Sequence, residues 1–182
     1  MPDCAREVMP TVLITGASRG LGLEFARQYA ELGWHVLSTC REPDRASALR
    51  ELSERHPSMC LHALDVTQDK SVRSLAEVLD GTTIDVLLNN AGIAGRIDRQ
   101  VLGALDYGVG HETMETNLFG PLRMAEAFLE HVAASAQRKI MTISSALGSI
   151  SSTTGGSFFY RCSKSAVNMA MASLARDVAQ RG

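Results

Sequence analysis

The sequence predicts an α/β protein with a doubly wound parallel sheet and helices on both faces. Three observations carry this. Short β-branched runs alternate with stretches of helical spacing five times, the connections between them are mostly short, and the first run ends in a glycine-rich turn leading into the first helical stretch. Right-handed crossovers then place a ligand crevice at the carboxyl ends of the strands.

The elements follow in order. Residues 1–9 read as a loose leader, and Pro10 to Thr15 (PTVLIT) as the first strand. Leu21 to Leu32 has helical spacing closed by Gly33; His35 to Thr39 is the second strand. Asp44 to His56 is helical with Asp44 as the expected N-cap. Cys60 to Leu64 gives a third strand ending at Asp65, Lys70 to Leu79 a third helix, and Ile84 to Leu88 a fourth strand. Residues 91–110 read as a glycine-bearing loop and Glu112 to Ala134 as one long helix. Lys139 to Ile143 is the fifth strand, 144–157 a loop of small residues, and Phe158 to Gln180 the last helix.

At 182 residues, with a net charge of −2 and no charged tail, the chain is most simply one domain without a basic footprint for nucleic acid. Cys4, Cys40, Cys60 and Cys162 match no zinc or redox spacing, so free thiols are expected. The five histidines lack ligand spacing and read as surface or satisfied structural residues; Cys162, Met169 and Met171 read as packing. No apolar run suits a membrane span and no hydrophobic signal region opens the chain, so a cytoplasmic protein is expected.

The chemistry lies in the turns that follow the strands. Gly16, Ser18, Arg19, Gly20, Leu21 and Gly22 occupy the turn from first strand to first helix, where glycines allow a phosphate to approach the backbone at a helix N-terminus. The spacing is G-x-x-x-G-x-G. After the second strand stands Arg41, where dinucleotide folds that choose NAD carry an acid. With Arg19 it suits a ribose 2′-phosphate, which favours NADP(H) over NAD(H), although Glu42 lies close by. Asp65 ends the third strand, either to accept from an adenine amine or to serve as a turn aspartate, and Val66 follows it. Asn89, Asn90, Ala91 and Gly92 end the fourth strand with side chains small enough for a flat ring to approach. Ser144 and Ser145 end the fifth, where a hydroxyl can bond a carbonyl. Tyr160 and Lys164, at i and i+4 of the last helix, lie on one face; a nearby cation favours a phenolate, which makes the pair a candidate general acid/base.

Taken together, T-G-x-x-x-G-x-G, Asp65, N-N-A-G, Asn117 in N-x-x-G, the Ile143-Ser144-Ser145 strand end and Y-x-x-x-K resemble the short-chain dehydrogenase/reductase family from about residue 10 to 182. The stretch from Ser144 to Lys164 is similar to the C-factor-like carbonyl reductase branch. The resemblance implies a Rossmann-like, three-layer α/β/α fold. It also implies an NADP(H)-dependent oxidoreductase acting on a small carbonyl or alcohol. Tyr160 would then be the proton donor, and Lys164 would hold the nicotinamide ribose. Ser145 would orient the carbonyl, and Asn117 would hold a water behind Lys164. The interval from Ser145 to Tyr160 is somewhat longer than the family's common one, so that loop must bulge.

Family members continue beyond the point where this sequence stops, so 1–182 reads as a single but incomplete Rossmann-type domain that lacks the last strands of the family fold. The fifth strand is then expected to be an open edge. Two other readings stand beside the enzyme: a truncated dinucleotide-binding protein of little or no turnover, and a signalling scaffold that dimerises through the helices beginning near Glu112 and Phe158.

Overall fold

A computed structural model describes residues 9–179. Cys4, most of the expected leader and the end of the last helix at Gln180 lie outside the described residues. Five strands, β1 (Thr11–Ile14), β2 (His35–Cys40), β3 (Met59–Ala63), β4 (Val86–Asn89) and β5 (Lys139–Thr142), form one parallel sheet in the order β3-β2-β1-β4-β5. Helices α1 (Gly20–Glu31), α2 (Ser47–Arg55), α3 (Asp69–Val78), α4 (Tyr107–Met114), α5 (Gly120–Ala133) and α6 (Phe158–Ala179) connect the strands or follow them. The order reverses between β1 and β4, so their carboxyl ends diverge into a crevice.

Alternation along β1 divides the core. Val12 and Ile14 pack with Val36, Leu88 and the α1–α2 residues Ala26, Ala30, Leu49 and Leu52. Leu13 faces the other way, with Leu37, Leu87 and the α3–α5 residues Val72, Leu75, Met124 and Phe128. Helix α1 stops where expected: Gly33, at φ +78, donates to the Ala30 carbonyl, and Trp34 to that of Tyr29, a Schellman closure that needs a left-handed residue.

Three expectations need correction. Helix α2 begins at Ser47 behind Ala46, and Asp44 lies in a separate 3₁₀ turn, Pro43–Arg45, which Pro43 opens. The span 91–110 is more than a loop. It holds a 3₁₀ turn at Ile97–Arg99 and the start of α4, capped by Asp106, whose Oδ1 accepts from the amides of Gly108 (2.9 Å) and Val109 (3.4 Å). Gly108 and Gly110 hide this helix start from propensity reasoning. Lastly, 112–134 is not one regular helix, because a π-helical turn, Glu115–Phe119, separates α4 from α5. Pro121 accounts for it: it has no N–H for the carbonyl of Asn117, four residues back, and its ring crowds that carbonyl.

Among the described residues β5 is an edge strand. Lys139 and Met141 are exposed, the latter by 46%. Much of the later part of α6 is also uncovered, so Cys162 and Met169, expected in packing, are exposed and Met171 is half-buried. The histidine expectation fails in part, since Nε2 of His62 and both ring nitrogens of His131 are buried without a hydrogen-bond partner. Cys40, Cys60 and Cys162 are free thiols. No helix among the described residues is long and apolar enough to cross a membrane.

Candidate active site

A cavity of about 630 Å³ opens at the carboxyl edge of the sheet. The turn from β1 to α1 forms its floor. Gly16 (φ +68) is so close to the next strand that a Cβ there would meet the Ala91 Cα at 2.9 Å, and a Cβ on Gly22 would fall 2.3 Å from the Gly16 carbonyl and 2.5 Å from Asn90 Nδ2. Gly20 (φ +57) faces open space. The lip at the N-terminus of α1 is thus bare of side chains at Gly16, Gly20 and Gly22, and Arg19, its N-cap residue, makes no side-chain capping bond. Backbone donors and the helix dipole therefore remain available to an anion.

Most residues expected from sequence for a cofactor meet at this cavity. Gly16, Ser18, Arg19, Gly20, Leu21 and Gly22 line it from the turn, and Arg41, Asp65, Val66, Ala91 and Gly92 from the ends of the next strands. Arg19 and Arg41 are exposed and, among the described residues, form no ion pair, whereas Glu42 is within 3.3 Å of Arg45. Asp65 Oδ1 accepts from the Thr67 amide (3.0 Å) and hydroxyl (2.7 Å), so this residue holds a turn at the cavity wall. Asn89 is buried within β4 and donates to Thr142 Oγ1 at 3.4 Å; its neighbour Asn90 is the asparagine at the cavity. Asn90 Nδ2 donates to the carbonyls of Thr15 (2.9 Å) and Gly16 (3.1 Å), and Thr15 Oγ1 accepts from the Asn90 and Ala91 amides at 3.0 Å each. Sequence reasoning also missed Ile93, Glu112 and Glu115 on the walls, since none belongs to a glycine or strand-end pattern, and Cys40, which ends β2 beside Arg41. Burial pushes the Cys40 thiol up.

The residues expected for catalysis gather beyond Gly92, outside the cavity proper. Lys164 is 6% exposed and donates from Nζ to the Ile143 carbonyl at 2.9 Å. A Cβ on Gly92 would lie 3.6 Å from this ammonium, which puts the lysine against the cradle wall. Burial lowers its pKa below the ordinary lysine value. The Tyr160 ring centroid is 5.9 Å from Nζ, so the i, i+4 spacing does bring phenol and ammonium together.

The two serines differ in their commitments. Ser144 Oγ donates to Asn168 Oδ1 at 2.6 Å, which uses its proton, whereas Ser145 Oγ accepts from the Leu147 amide at 3.2 Å and keeps its proton to donate. The Ser145 loop is seated on α6 by Gly148, where a Cβ would meet Lys164 backbone and side chain at 2.9 Å, and by Ser165 Oγ, which donates to the Gly148 carbonyl at 2.8 Å. The expected bulge before Tyr160 is a left-handed run of Gly155, Gly156 and Ser157, at φ +81, +66 and +46. Asn117, 1% exposed, bonds the Ile93 amide and carbonyl, both at 2.8 Å, and donates to Ser163 Oγ at 3.0 Å. Its side chain thus ties the cavity rim to α6, and its amide group has no obvious place for a water.

Comparison with known proteins agrees with this arrangement. A family model described as short chain dehydrogenase matches residues 10–182. The chain is 33% identical over 168 residues to the (+)-neomenthol dehydrogenase of Arabidopsis thaliana, covering 80% of this chain and 57% of that protein. It is 39% identical over 100 residues to the C-signal protein of Myxococcus xanthus, covering 54% of this chain and 59% of that one. It therefore spans somewhat more than half the length of these curated relatives. The NADPH-bound carbonyl reductase from chicken fatty liver superposes with a TM-score of 0.88 at 32% identity, over 96% of this chain and 72% of that structure. A match that runs through every strand, the glycine cradle and the Tyr160–Lys164 helix leaves one assignment: the chain belongs to the short-chain dehydrogenase family.

Proposed function

We propose that the protein binds NADP(H) and interconverts a small carbonyl and its alcohol. The observation that carries this reading is the placement of Lys164. Its ammonium, buried at the end of β5, stands beside Gly92 of the cavity wall and 5.9 Å from the Tyr160 ring centroid, so one cation faces both a dinucleotide cradle and an acid. The cradle suits such a ligand on its own geometry, with a lip that side chains would obstruct and two guanidiniums, without an ion pair among the described residues, at the end that would take a 2′-phosphate. The pairing of Glu42 with Arg45 reduces one repulsive charge beside Arg41. The solved carbonyl reductase noted above holds NADPH, in keeping with the same choice here.

Bound in the cradle, the nicotinamide cofactor supplies the hydride. The rest falls to side chains. Gly16, Ser18, Arg19, Gly20, Leu21 and Gly22 hold the pyrophosphate, Arg19 and Arg41 the 2′-phosphate, Asp65 and Val66 the adenine, and Ala91 and Gly92 the ring-bearing half. Asn89 contributes by pinning β4 to β5. Lys164 holds the ribose hydroxyls and sets its ammonium against the Tyr160 ring. In reduction Tyr160 gives its proton to the carbonyl oxygen while Ser145 donates a hydrogen bond to the same atom. Asn117 would hold a relay water through its backbone carbonyl, which Pro121 leaves without its usual N–H.

A second reading, a dinucleotide-binding protein of low turnover, draws on the open edge of β5 and the uncovered part of α6, close to the catalytic residues. Pairing of two copies through α4–α5 and α6, where Phe119 and Met169 are exposed, belongs with it and is checked by sedimentation.

NADPH consumption on a panel of carbonyls, with Tyr160→Phe alongside, tests the proposal. A fall of about 10³-fold in kcat with NADPH affinity retained is expected. Equal turnover by the variant would remove the acid role from Tyr160.

A further inference from the structure

The first turn of α6 carries Tyr160, yet its amides are satisfied from far away in sequence. A helix N-terminus leaves its first N–H groups without internal partners, usually to be met by the preceding side chain. Here a single distant residue meets two of them. The backbone carbonyl of Gln100 accepts from the Phe158 amide at 3.0 Å, and its side-chain Oε1 accepts from the Tyr160 amide at 2.7 Å. Gln100 is fully buried.

Its own loop is shaped to hold it. Gln100 Nε2 donates to the carbonyls of Ala94 (2.8 Å) and Arg96 (3.4 Å), on either side of Gly95. Gly95 is at φ +69, and a Cβ there would lie 2.9 Å from Nε2, so only glycine admits the amide. The same first turn is also held by packing: a Cβ on Gly110 of α4 would be 2.9 Å from the Phe159 ring, and the Tyr107 ring packs on Phe159 at 5.8 Å with a 57° tilt. Packing fixes Phe159. Among the described residues, only Gln100 bonds the backbone of Tyr160 itself from outside the helix.

We infer that Gln100 is the positioning residue for Tyr160, an N-cap in trans that sets where the phenol sits over Lys164. Residues 94–100 thereby link the rim of the cavity to the acid. Its effect on turnover rests on the function proposed above, but its effect on the Tyr160 ring does not.

The test follows the ring. In protein with labelled tyrosines, assigned through Tyr160→Phe, Gln100→Met fills a similar volume without a donor or acceptor. The Tyr160 ring resonances should then shift or broaden while those of Tyr29, packed on Trp34 near the far end of α1, stay unmoved. Gln100→Glu, with its buried carboxyl kept protonated so that it accepts from the Tyr160 amide and donates to the Ala94 carbonyl, should keep the Tyr160 signal close to wild type. If Gln100→Met disturbs Tyr29 as well, Gln100→Glu decides: a native Tyr160 signal supports the inference and a displaced one overturns it. An unmoved Tyr160 signal in a folded Gln100→Met protein also overturns it. With turnover as readout, Gln100→Met should lower kcat about tenfold or more at an NADPH KM within about twofold, with recovery in Gln100→Glu. A wild type without turnover would count against the proposed activity and leave the resonance result standing.

Discussion

The two ends of the sheet's carboxyl edge are built by different physics. At the cradle, β1, β2 and β4 are buried almost without exception, and their turns are fixed by contact: Gly16 against Ala91, Gly22 against the Gly16 carbonyl. At the proposed catalytic end, β5 alternates exposed and half-buried residues, and polar pins do much of the fixing: Lys164 to Ile143, Ser144 to Asn168, Ser165 to Gly148, Tyr160 to Gln100. Close packing resists displacement in every direction, while a hydrogen bond restrains one vector and is worth about 1 kcal/mol net. The cradle should therefore tolerate damage at the catalytic end, and the catalytic end should be the more easily detuned.

The sharpest way to break that contrast is to compare core losses. Phe128→Ala, behind β4, should cost about 4 kcal/mol in urea unfolding, and Met141→Ala on β5 less than about 1 kcal/mol. Similar costs would mean that the β5 edge is packed as the centre is. Next, Gly22→Ala places a methyl against the Gly16 carbonyl and should destabilise by about 2–3 kcal/mol in the same assay, whereas Gly20→Ala, with no neighbour within 4 Å, should cost less and only through its positive φ. Arg41→Asp should then shift the ratio of NADPH to NADH affinity by about tenfold or more without a change in unfolding midpoint. An unchanged ratio would take Arg41 out of the 2′-phosphate site.

The smallest effect concerns pH. Burial lowers the Lys164 pKa, so between that lowered value and about 10.4 the unfolded chain holds a proton that the folded chain has released. The lysine's contribution to stability accordingly rises with pH across this alkaline window. The stability of wild type minus that of Lys164→Met, from urea unfolding at a series of alkaline pH values, should climb there. A flat difference would mean that Lys164 is not desolvated.

Strand positions, their parallel direction and nearly all of the proposed cradle were legible because they rest on local rules: alternation, glycine turns and strand ends. What escaped was non-local or hidden by unfavourable residues. Gly108 and Gly110 masked the start of α4, although Asp106 was there to cap it. The π-helical turn at Asn117 needed Pro121 to be read four residues ahead. Asn90 rather than Asn89 faces the cavity because β4 ends one residue earlier than its polar run. Gln100 left no signal at all, since its partners lie some 60 positions away. Cys162 and Met169 read as packing only as long as α6 was assumed to be covered along its length.

If the proposed NADP(H) cradle depends on close backbone contact rather than on the Tyr160–Lys164 end, NADPH binding outlasts damage at that end. Fluorescence titration of NADPH into the purified chain, with Gly22→Ala and Tyr160→Phe beside it, tests this directly. Saturable binding by wild type and Tyr160→Phe at affinities within about twofold, and at least about tenfold weaker binding by Gly22→Ala, is the predicted result. A folded wild type without saturable binding, or a Gly22→Ala chain that binds as tightly, would contradict it.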